Sequence, residues 1–515
     1  MHTNVLTALL GVSLGIVCGE ISMYGSEVAV ALLLLGVVQL SLFFFAKVTA
    51  QKNVPLKNTH HFSIPLLSGI FFIALVVGIT RVQFSDSKHS FVCHEACAFS
   101  ATVVTSPESK GAYQVFVVRP DGEDTSYDVQ VRAPLYPQVS VGDSLTLFGK
   151  VTLPRARMEH TGIRTFDYMT YLQIHNIGSE MFYPKMEILT KEGKQVSATV
   201  RSLKHLQEVF LGYIFLYVSE PSASLASGML FGNTSMAPSL VETFRVAGLS
   251  HIVVLSGFNI AILIGFILLA LSFVPLIIRV VVAGTVVILF VVMVGAEVSI
   301  IRATLMSFIA LTALLVGKGY TARQALLLSL LCIILYEPRH LLHDASLHLS
   351  FLATAGIVYM GDGIKMFLAK IQSNVYKEIM TTTLAAYLAT LPYTLYTFGT
   401  ISLYALFANV IVLPLVPLMM LVTFLTVVTA PLAEIVGMFF GYITTLLGSF
   451  IIFIARLVEG LPFSSIRFEI SLAGMVLVYS SLIASFIFFV VRQKNKRDET
   501  EATEKNEILS GIISY

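Results

Sequence analysis

The sequence predicts a mainly α-helical, polytopic membrane helix bundle of about twelve spans that carries a small extracytoplasmic β-barrel domain. Hydrophobic residues make up 56% of the 515 residues, and charged residues only 12%. A soluble protein has about 25% charged residues, so this chain has too few charges to cover the surfaces of several soluble domains. A polar stretch with strand-like alternation interrupts the apolar runs, which predicts one folded domain outside the membrane.

Apolar runs long enough to cross a bilayer, which takes about 17–25 residues, recur along the chain. Three precede the polar stretch and nine follow it. They cover 5–20, 27–46, 64–80, 249–272, 274–294, 298–316, 322–336, 345–361, 379–398, 403–428, 434–456 and 470–491. No Lys or Arg precedes the first run, so we expect a retained span rather than a cleaved signal peptide. Pro414 and Pro417 interrupt the run 403–428, which predicts a broken helix buried in protein or lining a wet cavity.

Clusters of Lys and Arg between the runs predict the orientation of the chain in the membrane. The clusters are Lys47, Lys52 and Lys57; Lys318 and Arg323; Lys365, Lys370 and Lys377; and Arg492, Lys494, Lys496 and Arg497. With twelve spans, all four clusters and both termini lie on the cytoplasmic side of the inner (cytoplasmic) membrane. Residues 81–248 then lie on the opposite side.

The polar stretch alternates apolar and polar residues in short strands separated by turn residues. The predicted strands are Phe99–Val104, Tyr113–Arg119, Tyr127–Arg132 and Ser144–Thr152. Four or five such strands suggest a small barrel, with an OB-like fold as the leading candidate. Apolar residues at helical spacing in 200–218 predict an amphipathic helix at the outer interface.

These patterns divide the chain into five predicted parts. They are an N-terminal three-span segment (1–80), an extracytoplasmic OB-like domain (81–199), interfacial amphipathic helices (200–248), a nine-span domain (249–491) and a cytoplasmic tail (492–515).

Polar residues inside or at the ends of apolar runs are functional candidates, because a charge or an unpaired polar group is costly in the bilayer. The candidates are His251, Ser256, Gly257, Asn259, Glu297, Arg302, Asp344, His348, Ser350 and Asn409. Structural roles are the alternative: Glu297 and Arg302 as interfacial anchors or a pair, and the small Ser256 and Gly257 as helix-packing positions.

Catalysis and metal binding are disfavoured by spacing. Ser256 follows His251 by five positions in the sequence, so on one continuous helix their side chains point about 140° apart. A serine hydrolase dyad of these two residues therefore needs a helix break. His343 and His348 lack the i,i+4 spacing that places two metal ligands on one helical face. No GxxxxGK[ST] nucleotide loop occurs, so a separate motor protein is implied for any driven transport. We also expect no cofactor and no enzyme activity.

The two cysteines of the polar stretch, Cys93 and Cys97, are candidates for a disulfide in an oxidising compartment. Free thiols, or a metal site that includes His94, are the alternatives.

A net charge of +2 gives no general attraction to nucleic acid. The one local excess of basic residues in the polar stretch is a candidate DNA contact, and it comprises Lys150, Arg155, Arg157 and Arg164. Stacking faces for bases are offered by Tyr113, Phe116, Tyr127, Tyr136 and Phe148, but packing in the barrel core is the better account of most of them.

Several motifs resemble the ComEC family, the inner-membrane channels for DNA uptake in competent bacteria. His251-Ile-Val-Val-Leu-Ser256-Gly257-Phe-Asn259 is similar to its His-Leu-Leu-x-Ile-Ser-Gly-Leu-His signature. Other stretches that match in the family's order are Phe166 to Leu172, Ala226 to Gly232, Phe244 to Gly248, Gly295 to Met306, Asp344 to Phe351, Phe398-Gly399 and Asn409 to Pro414. Asn259 stands where the family often has His, and His348 where it usually has Gln.

The resemblance implies a channel that carries single-stranded DNA into the cytoplasm during natural transformation. Arg302 would neutralise phosphates, and the other polar candidates of 249–491 would line or brace the path. The implied partners are a separate DNA receptor, a helicase-like motor protein and a separate nuclease, since the metallo-β-lactamase-like domain of many members is not expected here. A transporter or scaffold for another substrate is the alternative, and a membrane-embedded hydrolase ranks last.

Overall fold

The computed structural model describes residues 2–20, 60–86, 90–110, 113–121, 127–154, 168–190, 197–232, 236–253, 255–295, 298–317, 321–368 and 371–485. These residues form a mostly helical protein with one β-barrel. The predicted span 27–46, the tail 492–515 and the end of the run 470–491 lie outside the described residues.

Two N-terminal helices pack against each other along glycines. They are α1 (His2–Glu20) and α2 (His60–Asp86), and α2 continues six residues beyond the predicted end of the run 64–80. A Cβ on Gly15 would meet the carbonyl oxygen of Leu75, and one on Gly78 would meet that of Val12. Small residues let two helices approach this closely in a membrane, so these glycines explain why the two segments pair.

Seven strands and one helix form the barrel domain. The elements are β1 (Cys93–Val103), β2 (Glu108–Lys110), β3 (Tyr113–Pro120), β4 (Asp128–Pro134), β5 (Ser144–Thr152), α3 (Tyr168–Ile174), β6 (Ile177–Phe182) and β7 (Lys185–Thr190). The strand order is β1-β3-β4-β6-β5-β7, and β1 also pairs with β5, so five strands close on themselves. The β4–β6 pair is parallel and the other pairs are antiparallel. The predicted barrel is confirmed, and its assignment as an OB-fold stays a prediction.

The barrel contains elements that the sequence pattern did not show. Strands β2, β6 and β7 and helix α3 were not predicted, and β6 carries Ser179 and Glu180 in its middle, which hides the apolar alternation. Both side chains are nevertheless buried, because Ser179 donates to the carbonyl oxygen of Phe91 and Glu180 pairs with Arg132. The barrel core is formed by Phe116, Leu145, Leu147 and other buried apolar side chains.

The second half of the chain is a helix bundle with one small hairpin-like sheet. Its helices are α4 (Ala198–Tyr217), α5 (Ser222–Phe231), α6 (Pro238–Val246), α7 (Ser250–Val253), α8 (Gly257–Ala270), α9 (Leu276–Val294), α10 (Val298–Val316), α11 (Ala322–Tyr336), α12 (His340–His343), α13 (Ala345–Phe367), α14 (Asn374–Thr397), α15 (Ala405–Val412), α16 (Leu415–Thr429), α17 (Glu434–Glu459) and α18 (Leu472–Ser485). Strands β8 (Thr400–Ser402) and β9 (Ser465–Arg467) pair antiparallel.

The structure does not support a count of about twelve spans. Among the described residues, only α9, α13 and α17 are both long and apolar enough to cross a membrane. The α15–α16 pair adds a fourth span if its 45° bend at Pro414 is counted as a break in one span. The prediction of a broken helix in 403–428 is confirmed, whereas the single run 249–272 is wrong as one span, because it holds the four-residue α7 and the 14-residue α8.

Helices α13 and α14 pack closely against each other at Gly356. A Cβ on Gly356 would lie 2.5 Å from the carbonyl oxygen of Ala385 and 2.5 Å from the Cβ of Ala389. This contact fixes how deeply α13 sits against α14. It matters for the site below, because α13 also carries the residues that hold Arg302.

Candidate functional site

Arg302 lies on α10 at the contact between α8, α10 and α13, and only 8% of it is exposed. Its Nη1 donates to Thr354 Oγ1 over 2.9 Å, and Thr354 Oγ1 in turn donates to the carbonyl oxygen of Ser350 over 2.9 Å. The guanidinium also lies 5.5 Å from the ring centre of Phe351, a cation–π distance. Two predicted site residues, Arg302 and Ser350, are therefore brought together.

Among the described residues, no carboxylate contacts the guanidinium of Arg302. Within the part of the chain that the structure describes, its polar contacts are the Thr354 hydroxyl and the Met306 sulfur, and Nε is buried with no acceptor. A buried charge is ordinarily paired and fully hydrogen-bonded, because its desolvation is costly. The site thus holds a cation with unused donor capacity.

The N-terminus of α8 approaches the same guanidinium. A Cβ on Gly257 would lie 3.2 Å from Arg302 Nη2 and 3.1 Å from the Cβ of Ala303, so a larger residue here would crowd the arginine. Ser256 is the N-cap residue of α8, but its side chain does not cap the helix and instead donates to Asn259 Oδ1 over 3.4 Å. The N-terminus of α8 carries a partial positive charge, which repels the guanidinium of Arg302. An anion between the two would be attracted by both, so the arrangement favours binding of an anion.

Asn259 holds α8 in place. It is buried, and its Nδ2 donates to the carbonyl oxygen of Met229 on α5 over 2.9 Å. The break at Ser256 and Gly257 is therefore fixed on one side by this hydrogen bond and on the other by Arg302. The predicted residues Ser256, Gly257, Asn259 and Arg302 form one cluster, which we call the Arg302 site together with Phe351 and Thr354.

Asn409 lies on α15, before the bend at Pro414. Its side chain is buried, and Oδ1 has no hydrogen-bond donor among the described residues. The structure gives no direct contact between Asn409 and Arg302. Asn409 is thus a second buried polar position, at a second helix break.

A third predicted group, Asp344 and His348, braces the start of α13. Asp344 caps this helix, since Oδ1 accepts from the backbone N–H groups of Ser346 and Leu347, and its Oδ2 lies 2.8 Å from His340 Nδ1. His348 Nδ1 lies 2.7 Å from the Tyr393 hydroxyl, and Nε2 lies 2.6 Å from the carbonyl oxygen of Leu341. Both side chains therefore fix α13, which carries Phe351 and Thr354.

The barrel contacts the bundle close to the start of α13, at Arg339 and His340. Arg339 Nη1 donates to the Tyr127 hydroxyl over 3.0 Å and to Gln173 Oε1 over 3.4 Å. The rings of His175 and His340 are 6.5 Å apart. We call this contact the barrel joint. Through His340 and Asp344 it connects the barrel to α13, the helix whose Phe351 and Thr354 contact Arg302.

The electrostatics of the barrel joint favour neutral pH. Burial is the main reason why the pKa of His175 is lowered from its usual 6.5, and the neighbouring His340 acts in the same direction while Asp344 opposes it. Burial opposes ionisation of Asp344, but the hydrogen bonds from His340, Leu347 and Ser346 together hold its pKa below the usual 3.8.

We expect the folded protein to lose stability as the pH falls below about 6.5. Both groups have a lower pKa in the folded protein than in the unfolded chain. The His175 contribution is therefore lost as the pH falls below its usual 6.5, whereas the Asp344 contribution is lost only as the pH falls below its usual 3.8. The thermal midpoint of the purified protein between pH 8 and pH 5 measures this loss, and His175→Gln should flatten the part near pH 6. The exposed His205 supplies the matched control. A wild-type pH response in His175→Gln would contradict the assignment.

Other predicted residues do not join the Arg302 site. His251 is exposed on the short α7, and the structure records Asn259, not a histidine, as the partner of the Ser256 hydroxyl. Lys150 is exposed on β5, and Cys93 and Cys97 form a disulfide in β1. Glu297 and the basic residues Arg155, Arg157 and Arg164 lie outside the described residues.

Sequence reasoning missed the residues that surround the candidates. Thr354 continues the polar face of α13 one helical turn after Ser350, and this i,i+4 spacing was a usable signal. Tyr127, Gln173 and His175 of the barrel joint left no signal, because they meet the bundle only through the fold. Arg339 also gave no local signal of its contact with the Tyr127 hydroxyl of the barrel.

The family model described as a competence protein matches residues 229–493, just over half of the 515 residues. No curated protein and no solved structure matches the chain. The matched region contains the Arg302 site, Asn409, Asp344 and His348. The family assignment and the apolar helices together indicate a membrane protein with a role in DNA uptake. The order of motifs around the Arg302 site and the family match agree, and the chain belongs to the competence-protein family of the ComEC type.

Proposed function

We propose that this protein carries single-stranded DNA across the inner membrane into the cytoplasm during natural transformation. The strand passes through the helix bundle of residues 249–491, with both chain termini in the cytoplasm. The protein acts as a conduit and not as an enzyme.

The observation that carries the proposal is the buried Arg302, which contacts no carboxylate among the residues that the structure describes. In an apolar bundle such a cation is retained at a cost, which makes a functional role the first explanation. Its free Nε and the uncapped N-terminus of α8 both favour a negatively charged group. The phosphodiester backbone is the anion that fits a family role in DNA uptake.

Two broken helices support a path through the bundle, and one of them lies beside this cation. Backbone breaks at membrane depth are tolerated where they are buried in protein or line a wet cavity. One break lies at Ser256 and Gly257 beside Arg302, and the other lies at Pro414, after the unsatisfied Asn409. We assign Ser256, Asn259, Ser350 and Asn409 to the path or to its support.

Transport needs energy and partners from outside this chain. We propose a DNA receptor that delivers the strand, a helicase-like motor that pulls it from the cytoplasm, and a separate nuclease for the other strand. The DNA strand would move past Arg302 as each phosphate replaces the one before it. Each phosphate must therefore bind Arg302 strongly enough to enter the site and weakly enough to leave it.

Deletion of the gene in its host tests the proposal. Transformation by added DNA should disappear and should return when the wild-type gene is restored from a second locus. Binding of DNA to the cell surface should persist in the deletion strain, because the receptor is a separate protein. Equal transformation with and without the gene, in a host with no second family member, would refute the channel.

A further inference from the structure

The outer face of the barrel carries a row of alternating cations and aromatic rings. Helix α3 and the start of β4 contact the bundle at the barrel joint, whereas the row lies near the opposite ends of β4 and β6 and extends onto β5 and β7. Its members, in the order of the neighbouring strands, are Arg132 on β4, Phe182 on β6, Lys150 and Phe148 on β5, and Lys185 on β7. We call these five residues the barrel row.

Strand register places the members side by side. Arg132 is the cross-strand partner of Phe182, and Phe148 is the partner of Lys185. The β5–β6 ladder pairs Val151 with Met181 and Thr152 with Glu180, so its continuation brings Lys150 opposite Phe182. Cross-strand neighbours have Cβ atoms about 5 Å apart, and Phe148 lies on the diagonal from Phe182 at about 7–8 Å.

The rings of the barrel row face outwards. Phe148 is 44% exposed and Phe182 is 42% exposed, although the barrel has an apolar core that buries Phe116 on the inner face. Arg132 lies 5.1 Å from the centre of the Phe182 ring, and it also meets the buried Glu180 at 3.6 Å. Exposed rings outside the membrane indicate a binding surface, and the cations between them indicate the charge of the partner.

We infer that the barrel row binds single-stranded DNA by stacking bases on Phe148 and Phe182 while Lys150 and Lys185 contact the phosphates, and Arg132, which pairs with Glu180, holds the Phe182 ring. Stacking platforms between cations bind single strands with little sequence preference, because every base has a flat face. Glu187, exposed on β7 beyond Lys185, limits the row at that end. This inference rests on the proposed function and names the surface that first meets the strand.

Stacking on the two rings of the barrel row would also favour single-stranded DNA over duplex DNA. In a duplex the base faces are covered by their neighbours in the stack, so the two rings would have no surface to contact. We expect the row to bind oligo-dT at least about tenfold more tightly than a duplex of the same length. A basic patch without rings would instead prefer the duplex, which has the higher charge density.

The absence of Trp from the chain permits a direct test of stacking. Phe148→Trp and Phe182→Trp each introduce a single reporter, and the full-length protein in lipid nanodiscs is titrated with oligo-dT. We expect quenching of both reporters. Leu189→Trp is the matched control, since Leu189 is 53% exposed on β7, about 13 Å along the strand from Lys185. Equal quenching at all three positions, or none at positions 148 and 182, would overturn the inference.

A graded series separates stacking from apolar docking. The double variant Phe148→Ala, Phe182→Ala should bind oligo-dT about five- to 150-fold more weakly for each ring removed. Tyr at both positions should restore binding, whereas Leu, which keeps apolar bulk without a ring, should not. Restoration by Leu would show that the row takes an apolar protein surface, and unchanged binding by the alanine variant would show that DNA binds elsewhere.

The same series distinguishes failure of this inference from failure of the channel. If the alanine variant binds oligo-dT normally while gene deletion abolishes transformation, the row is wrong and the channel stands. If the row binds oligo-dT as expected but deletion leaves transformation intact, the surface is a DNA site on a protein that is not the channel. Lys150→Gln and Lys185→Gln should each lower the dependence of log K on log salt by about 0.7.

Discussion

Arg302→Ala is expected to abolish transformation while leaving the protein folded and in the membrane. Loss of one member of a buried hydrogen-bonded charge pair costs about 2–5 kcal/mol, so contact with a passing phosphate should weaken by a factor of at least about 30. Transformation frequency per cell, with protein level measured on the same cultures, checks this result. Removal of a buried charge that contacts no carboxylate among the described residues should leave the free energy of unfolding unchanged or raise it.

Arg323→Ala is the matched control for Arg302→Ala. Arg323 is also an arginine of the matched region that lies over an aromatic ring, 5.3 Å from the centre of Tyr359, but it is exposed. We expect normal transformation from Arg323→Ala and partial function from Arg302→Lys, which keeps the charge but loses the planar donor fork. Full function of Arg302→Ala would show that Arg302 is not part of the DNA path, although the family assignment would still support a role in DNA uptake.

Gly356→Leu is expected to prevent folding of the bundle. A Cβ at this position would already lie 2.5 Å from backbone oxygen and from a methyl group of α14, and neither can move without shifting a helix. Overpacking ordinarily costs about 1–3 kcal/mol, and contact with a backbone atom should cost more. A fluorescent fusion followed by size-exclusion chromatography after heating measures the folded fraction.

Gly361 supplies the matched position for this prediction. It lies on the same helix, but a Cβ there would meet nothing closer than 4.0 Å, at Thr381. Gly361→Ala should be neutral or stabilising because alanine is the better helix former by about 1 kcal/mol, whereas Gly356→Ala should lower the melting temperature. Equal melting temperatures for the two alanine variants would show that α13 and α14 are not held together at Gly356.

Local patterns predicted single elements well. The bounds of α10, α11 and β5 agree with the predicted 298–316, 322–336 and Ser144–Thr152. In each case the apolar pattern and the turn residues at both ends coincide with the physical limits of the element. The span count failed because hydropathy records the length of an apolar run and not the length of a helix. The run 249–272 shows this, since Ser256 and Gly257 divide it.

The candidate site was predictable in its residues but not in its contacts. Arg302 was singled out as an intramembrane charge, yet its partner Thr354 lies 52 residues away, and the Tyr127–Arg339 contact of the barrel joint spans 212 residues. Periodicity decides the face of one element and carries no information on which faces meet. The contact of the Arg302 guanidinium with the Phe351 ring on α13 is likewise a property of the packed bundle.

Photo-cross-linking of incoming DNA tests the central claim most directly. A photoreactive amino acid replaces Met306, whose sulfur lies 3.7 Å from Arg302 Nη1, and in a second strain it replaces Ile277, which is 67% exposed on α9. Cells that are taking up labelled DNA are then irradiated, and the purified protein is assayed for attached label. If the strand passes the Arg302 site, label is expected at position 306, little at position 277, and none at position 306 in the Arg302→Ala background. Transformation-competent cells that give no label at position 306, or equal label at both positions, would contradict a DNA path through this bundle.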